Sequence, residues 1–254
     1  MQKQFSRIVC LALQAILVVA YTVLVVGTSI NLPQVSKDFL LKVIPTEVCL
    51  LMGMVSAFFF FRFTRSTVGT DAQLIPILHL AITVTSIRTM PYFVTLIPNI
   101  PVNLQMVATF YQISVLFSSL LIIQFLMFQT EINNMKIFQL MLIFLACSIF
   151  FGLFVPVTTG SEDFLNMAYI TSIYLRLFMH LVCFLGIIAM CFAILHENLS
   201  KETILKVMGT LLILFANTFH TVPYSPIIEV ISALLMSLGF VLLIIVAKSN
   251  RIWA

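Results

Sequence analysis

The sequence has 254 residues, of which 61% are hydrophobic and only 9% are charged, and its mean hydropathy is +1.15. A soluble domain carries about a quarter charged residues, so this composition indicates an integral membrane protein. The 24 phenylalanines exclude an intrinsically disordered chain. The net charge of +4 comes from basic residues scattered along the sequence, and without a basic stripe we expect no nucleic-acid partner.

Eight apolar runs predict eight membrane-spanning helices, because a helix needs about 20 mainly apolar residues to cross a bilayer. The first run follows Lys3 and Arg7 and exceeds the roughly 7–15-residue core of a signal peptide, so we interpret it as a retained span. The predicted spans are 8–30, 40–61, 73–97, 105–128, 135–157, 165–195, 204–221 and 226–247. The predicted fold is an all-α bundle of these eight transmembrane helices with short loops, forming one domain over residues 1–254.

Proline and serine residues predict where some of these helices stop and start. Proline removes a backbone donor and restricts the residue before it, so Pro45 and Pro101 are expected to interrupt helices. Ser161 precedes two acidic residues and Ser225 precedes Pro226, and both patterns are typical of helix N-termini. No G-x-x-x-G pattern occurs, so we expect large interdigitating side chains to pack the helices together.

The basic residues predict the orientation of the bundle. With eight spans, two basic residues, Lys37 and Lys42, fall on the face opposite the termini, and nine fall on the face that carries both termini. The nine are Lys3, Arg7, Arg62, Arg65, Lys136, Lys201, Lys206, Lys248 and Arg251. Basic loops stay in the cytoplasm, so we expect cytoplasmic N- and C-termini. The chain length and the lack of a glycosylated outer loop favour a bacterial inner (plasma) membrane.

Most ionisable residues within the spans fall in the half of the bundle that this orientation makes the outer half. Arg88 and Arg176 are the two cations, and Pro91 is expected to kink the helix just beyond Arg88 and to free backbone carbonyls near it. Charged groups within a membrane usually face a cavity or pathway. We therefore predict an outward-facing polar pocket with seven ligand-binding residues: Glu47, Arg88, Arg176, His180, Asn217, His220 and Glu229.

Other interpretations of these residues stay open. The arginines could form structural ion pairs with Glu47 and Glu229, with the histidines hydrogen-bonded inside the bundle. His79 is typical of a satisfied core histidine, and haem ligation between His180 and His220 has no supporting motif. The five cysteines show neither C-x-x-C pairs nor metal-ligand spacing with histidine. We therefore predict no metal and no cofactor.

The sequence carries no recognisable catalytic motif, and aspartate is nearly absent from the spans, so we predict a non-enzymatic protein. One alternative is a membrane-embedded cysteine transpeptidase, because Cys147, Arg176 and His220 occur in the order such an enzyme uses. Cys147 is followed by Ser-Ile in place of Ser-Gly, however, and histidine stands at 220 in place of arginine. Both departures weaken that alternative.

The pattern favours a receptor or sensor that binds a small or lipid-like ligand in the outward pocket and acts through a partner chain. Arg176 would hold an anionic group of the ligand, and His180 and His220 would form hydrogen bonds with it. Glu47 or Glu229 would balance the charge. A transporter and an accessory subunit of a larger membrane complex are the alternatives. The expected partners are membrane lipid and either another protein chain or a second copy of this one.

Overall fold

The computed structural model describes residues 2–31, 36–64, 71–97, 101–127, 134–196 and 201–252. Within these ranges all regular secondary structure is helical, with ten α-helices and one 3-10 helix. The 3-10 helix covers Thr85–Thr89 and joins α3 to α4. The α-helices are α1 (Gln2–Asn31), α2 (Lys37–Phe63), α3 (Asp71–Val84), α4 (Met90–Leu96), α5 (Leu104–Met127), α6 (Asn134–Phe154), α7 (Glu162–Asn166), α8 (Ile173–His196), α9 (Lys201–Phe219) and α10 (Pro226–Ile252).

Eight helical segments of the described ranges are long and apolar enough to cross a membrane. They are α1, α2, the unit formed by α3 and α4, α5, α6, α8, α9 and α10. The apolar spans within these helices are 18 to 27 residues long, which fits the about 20 residues that a bilayer requires. The prediction of an all-α, polytopic membrane protein is confirmed at this level.

Span 6 begins later than predicted. The predicted span 165–195 is divided into the short α7 and the long α8, and residues 167–172 between them are not helical. This connection is apolar and buried, with Met167, Ala168 and Ile170 fully covered. Hydropathy does not distinguish a buried apolar connection from a helix, which explains the error. Residue 128, the predicted end of span 4, lies outside the described residues.

The interruption expected at Pro45 is wrong, whereas two predicted helix starts are confirmed. Pro45 is buried inside α2, which continues through it. Neighbouring helices can compensate a proline inside a membrane helix. The Ser161 hydroxyl accepts a hydrogen bond from the Phe164 N–H at 3.3 Å and caps α7, and Pro226 is the first residue of α10.

The kink expected near Pro91 appears as a change of helix type. The Thr85–Thr89 segment has 3-10 geometry, and Pro91 is the second residue of α4. A proline cannot donate to the carbonyl four residues earlier and its ring crowds that carbonyl, which is the carbonyl of Ile87. The disturbance therefore lies on the N-terminal side of Pro91, around Arg88.

Glycines bring α9 and α10 close together, a contact that the predicted packing through large interdigitating side chains does not include. A Cβ built on Gly239 would lie 2.7 Å from the carbonyl oxygen of Gly209 and 2.7 Å from Cγ1 of Ile213. Small residues at a contact let two helix backbones approach. The two glycines are on different helices, so no pattern within one helix shows them.

Three of the long helices leave most of their apolar surface uncovered. Only 17% of the apolar window of α1, 22% of that of α6 and 28% of that of α8 is buried, compared with 67% for α5. α10 instead packs extensively against α9 and α2. The interior of the bundle is therefore built around span 3, α5, α9 and α10, whereas α1, α6 and α8 offer faces to lipid or to another chain.

Candidate functional site

Arg88 lies within the 3-10 segment that interrupts span 3. Its side chain is fully buried, with 1% of the residue exposed. Its carbonyl oxygen accepts a 2.7 Å hydrogen bond from the N–H of Ala168. In 3-10 geometry this carbonyl would bond the N–H of residue 91, which proline lacks, so it is available for such a contact. This agrees with the sequence-based prediction of free carbonyls near Arg88. The break in span 3 thus anchors the buried connection before α8.

The Arg88 guanidinium forms a bidentate ion pair with Glu229 in the first turn of α10. Nη2 lies 2.7 Å from Oε1 and Nη1 lies 3.3 Å from Oε2, and each side chain is only 2% exposed. His220 approaches the same carboxylate, with Nε2 3.9 Å from Oε2. A guanidinium and a carboxylate paired in this way satisfy each other, whereas either one buried alone is very costly. We call Arg88, His220 and Glu229 the Arg88 cluster.

The turn between α9 and α10 positions His220. The His220 carbonyl oxygen accepts a hydrogen bond from the Tyr111 hydroxyl of α5. The neighbouring carbonyl of Thr221 accepts a 3.2 Å hydrogen bond from the Ile170 N–H. The backbone that carries the imidazole is therefore held on two sides, by α5 and by the connection before α8.

Asn217 lies one turn before His220 and contacts α5. Its Nδ2 is 2.8 Å from the Ser118 hydroxyl, 2.7 Å from the Ser119 hydroxyl and 3.2 Å from the Val115 carbonyl oxygen. The Asn217 side chain is fully buried. Its amide therefore ties α9 to α5 and supports the turn that carries His220.

A narrow cavity adjoins the Arg88 cluster, between α2, span 3 and α10. Thr46 and Cys49 of α2, Thr83 of α3, Arg88 and His220 are among the residues that line it. It has room for about one water molecule. Arg88 Nε and His220 Nδ1 have no hydrogen-bond partner among the described residues, although both residues are more than nine-tenths buried. The cavity is thus bordered by two residues with unused polar atoms.

A second buried charge, Lys42, occupies a cage of polar and aromatic groups. Its Nζ lies 2.6 Å from Asp38 Oδ2 and 2.8 Å from Asn166 Oδ1. The same nitrogen is 4.2 Å from the ring centroid of Tyr92 and 5.2 Å from that of Tyr224. Aromatic faces attract ammonium groups. We call these five residues the Lys42 cage.

The sequence pattern predicts Lys42 as a loop charge and does not predict this cage. The available signal was the spacing of Asp38 and Lys42, because opposite charges four residues apart meet on one face of a helix. In the structure Lys42 is only 4% exposed, whereas the Asp38 side chain is 57% exposed.

Burial, together with the carboxylates of Asp38 and Glu229, raises the pKa of Tyr224 to about 12. The Tyr224 hydroxyl in this loop therefore stays protonated at neutral pH.

The structure places the other three predicted site residues away from the Arg88 cluster. Glu47 lies on α2 and accepts a 2.6 Å hydrogen bond from the Thr22 hydroxyl of α1. Arg176 is half-buried on α8, and its Nε has no partner among the described residues. His180 is exposed, and its Nδ1 lies 2.7 Å from the Arg176 carbonyl oxygen. The seven predicted residues are therefore not all joined in one constellation.

His79 and Cys147 occupy different environments from the cluster. His79 is buried, with ring nitrogens 2.8 Å from the Ile75 carbonyl oxygen and 3.0 Å from the Ser56 hydroxyl, and it stacks on Phe240. These contacts agree with a satisfied core histidine. Cys147 lies on the exposed side of α6, whereas the histidine of the transpeptidase alternative is buried in the Arg88 cluster.

Known proteins supply no further assignment. No protein-family model matches the chain, and no curated protein and no solved structure matches it.

Proposed function

We propose that the protein is an integral membrane receptor or sensor that binds a small or lipid-like anionic ligand beside Arg88. Eight apolar helices support its insertion in a membrane. The excess of basic residues on the face that carries both termini supports cytoplasmic termini in a bacterial inner membrane. In this orientation the end of the bundle with the Lys42 cage faces outward, and the Arg88 cluster lies below it.

The observation that carries the proposal is the Arg88–Glu229 ion pair at the break in span 3, next to a cavity. A ligand carboxylate or phosphate would offer the guanidinium the same acceptor geometry as Glu229. Glu229 would then act as a built-in competitor for the ligand. Binding would favour a state in which α10 is released from span 3, and a ligand shifts an equilibrium through this difference in affinity.

Helix α10 provides a route from this site to the opposite end of the bundle. Glu229 lies in its first turn, and the helix continues to Ile252. The close contact at Gly209 and Gly239 fixes α10 against α9, so a shift at the first turn would move the two helices as a packed pair. A partner chain on the cytoplasmic side would receive this movement.

The proposed site is narrower than the pocket predicted from the sequence. It uses Arg88 for the anionic group, His220 for a hydrogen bond and Glu229 as the competing acid, with Asn217 as support. Glu47, Arg176 and His180 lie elsewhere in the bundle, and we do not include them.

A second candidate function is that of an accessory subunit in a larger membrane complex. The uncovered faces of α1, α6 and α8 favour it, because such faces pack against lipid or against other subunits. In this case the Arg88–Glu229 pair would only hold span 3 against α10. A stable assembly with other chains after mild purification would support this function.

The experiment compares two anionic amphiphiles, decanoate and dihexanoyl phosphatidate, with uncharged decanol, using the thermal unfolding midpoint of the full chain in mild detergent. We expect the anionic probes to stabilise the wild type. The double variant Arg88→Met with Glu229→Gln should lose this response, because it removes both charges and leaves neither one unpaired. Arg62→Gln is the matched control, since Arg62 is an exposed cation at the end of α2.

The control should respond as the wild type does. An equal response of the double variant, or no response of the wild type to either anionic probe, would contradict an anionic-ligand site at Arg88.

A further inference from the structure

The Lys42 cage and the cavity share α2, span 3 and the turn between α9 and α10. Lys42 precedes the lining residue Thr46 by four residues on α2, so both side chains lie on one face of this helix. Tyr92 follows the lining residue Arg88 by four residues along span 3, and Tyr224 lies in the turn that also carries the lining residue His220. Three of the segments that line the cavity therefore also contribute a residue to the cage.

The cage also holds together the segments that carry the ion pair. Lys42 binds Asn166 at the end of α7, and its ammonium contacts the ring of Tyr92 in α4 and the ring of Tyr224 just before α10. If span 3 separates from α10, Lys42 cannot keep its contacts with both Tyr92 and Tyr224, so this separation would disturb the cage as well as the Arg88–Glu229 pair.

The two charge clusters differ in their access to water. In the Arg88–Glu229 pair both side chains are 2% exposed, whereas in the Lys42–Asp38 pair the carboxylate is 57% exposed. Water can solvate Asp38 when the ammonium leaves, so this contact costs less to break than a fully buried pair. The cage is therefore the part of the arrangement that can open first.

We propose that the Lys42 cage closes the entrance to the cavity beside the Arg88 cluster, and that a ligand reaches Arg88 from this end when Lys42 leaves the cage. The proposal rests on the proposed function for its biological meaning, since it assigns the regulation of the same site. It requires a path from the solvent to the cavity through the cage, and the opening of this path can be measured without any ligand.

Cys49 provides a natural reporter of this route, because it lines the cavity and is only 9% exposed. The experiment keeps Cys49 as the sole thiol and replaces the other four cysteines by alanine: Cys10, Cys147, Cys183 and Cys191. The rate of modification by a water-soluble methanethiosulfonate is measured in lipid nanodiscs, with Lys42→Met compared with Lys37→Met. Both variants lose one positive charge in the first part of α2, but Lys37 is exposed.

We expect Lys42→Met to raise the rate of Cys49 modification at least tenfold over Lys37→Met and over the unsubstituted single-cysteine protein. Lys42→Arg, which keeps a cation in the cage, should stay closer to the unsubstituted protein. Unchanged Cys49 reactivity in Lys42→Met would overturn the proposal.

A second background that keeps only Cys183, a buried thiol on α8, detects general loosening of the bundle. We expect Lys42→Met to leave the reactivity of Cys183 unchanged. A parallel increase at Cys183 and Cys49 would also overturn the proposal, because Lys42 would then only stabilise the fold. The thiol rates are measured without any ligand, so they do not depend on whether the anionic probes bind. The binding experiment therefore tests the proposed function, and the thiol experiment tests the access route.

Discussion

Arg88 and Glu229 are two buried charges inside the bundle, and each is costly to bury without the other. Both were predicted as site residues, because a charge in an apolar span requires compensation. Their pairing was one open alternative, since the sequence does not give the rotation of one helix relative to another. In the structure Arg88 and Glu229 do pair. The contact is bidentate, and each side chain is only 2% exposed.

Single substitutions at this pair should be more harmful than their combination. Glu229→Gln leaves the Arg88 guanidinium buried without its counter-charge, and breaking a buried pair costs about 3–5 kcal/mol. We expect the double variant Arg88→Met with Glu229→Gln to lose markedly less stability than the sum of the single variants. The free energy of unfolding in mild detergent measures this coupling.

Asp163→Asn serves as the control for that cycle, because Asp163 is an exposed acid in the first turn of α7. Its effect should stay small. If Glu229→Gln is no more destabilising than Asp163→Asn, the Arg88–Glu229 pair does not hold the bundle together.

The burial of Lys42 is an example of a feature that the sequence does not predict. Its charge was visible, and its spacing from Asp38 was that of a helical pair. Its burial depends on Asn166 and Tyr224, which come from distant parts of the chain. No local pattern links these residues, so the cage could not be read from the sequence.

At the scale of elements, the apolar runs predict that the spanning helices exist. They do not predict where a helix changes type or is interrupted. Pro91 correctly marked span 3 as irregular, and the 3-10 segment Thr85–Thr89 lies where its missing donor and its ring disturb the preceding turn. The connection 167–172 is predicted as helix, because it carries no charge and runs directly into the apolar span that follows it. Its backbone donors instead reach the carbonyls of Arg88 and Thr221.

The contact between α9 and α10 should be intolerant of even one added methyl group. Gly239→Ala places a Cβ 2.7 Å from the carbonyl oxygen of Gly209, so the helices must separate. Overpacking of this kind costs about 1–3 kcal/mol. We expect a corresponding loss in the free energy of unfolding in detergent.

Gly27→Ala is the matched comparison, because a Cβ on Gly27 of α1 would meet no atom within 4 Å. It should be neutral or slightly stabilising, since alanine favours helices over glycine by about 1 kcal/mol. Equal effects of the two substitutions would show that α9 and α10 are not held at this distance.

At the scale of the whole molecule, eight apolar helices define the architecture, and the distribution of basic residues suggests its direction. With cytoplasmic termini, as we propose, the Lys42 end would be the outer end, and the proposed site would have outward access. Arg65, one of the nine basic residues on the face that carries the termini, lies outside the described residues.

Reporter fusions expressed in a bacterial inner membrane test this direction. We expect a fluorescent protein that folds only in the cytoplasm to be bright when fused after residue 252. Alkaline phosphatase, which requires the periplasm, should be active when fused after Gly160, in the loop between α6 and α7. The reverse pattern would invert the bundle and place the Lys42 cage toward the cytoplasm.

A density map of the wild-type protein, purified with its native lipids and resolved well enough to show ordered water, tests the receptor account most directly. A receptor should show non-protein density larger than a water molecule beside Arg88 and His220. This density should contact the Arg88 guanidinium, which binds Glu229 when no ligand is present. A map in which Arg88 remains bidentate on Glu229 and the cavity holds at most one water, even with saturating decanoate or dihexanoyl phosphatidate present, would contradict the receptor account. The ion pair would then be a structural element, as the accessory-subunit function requires.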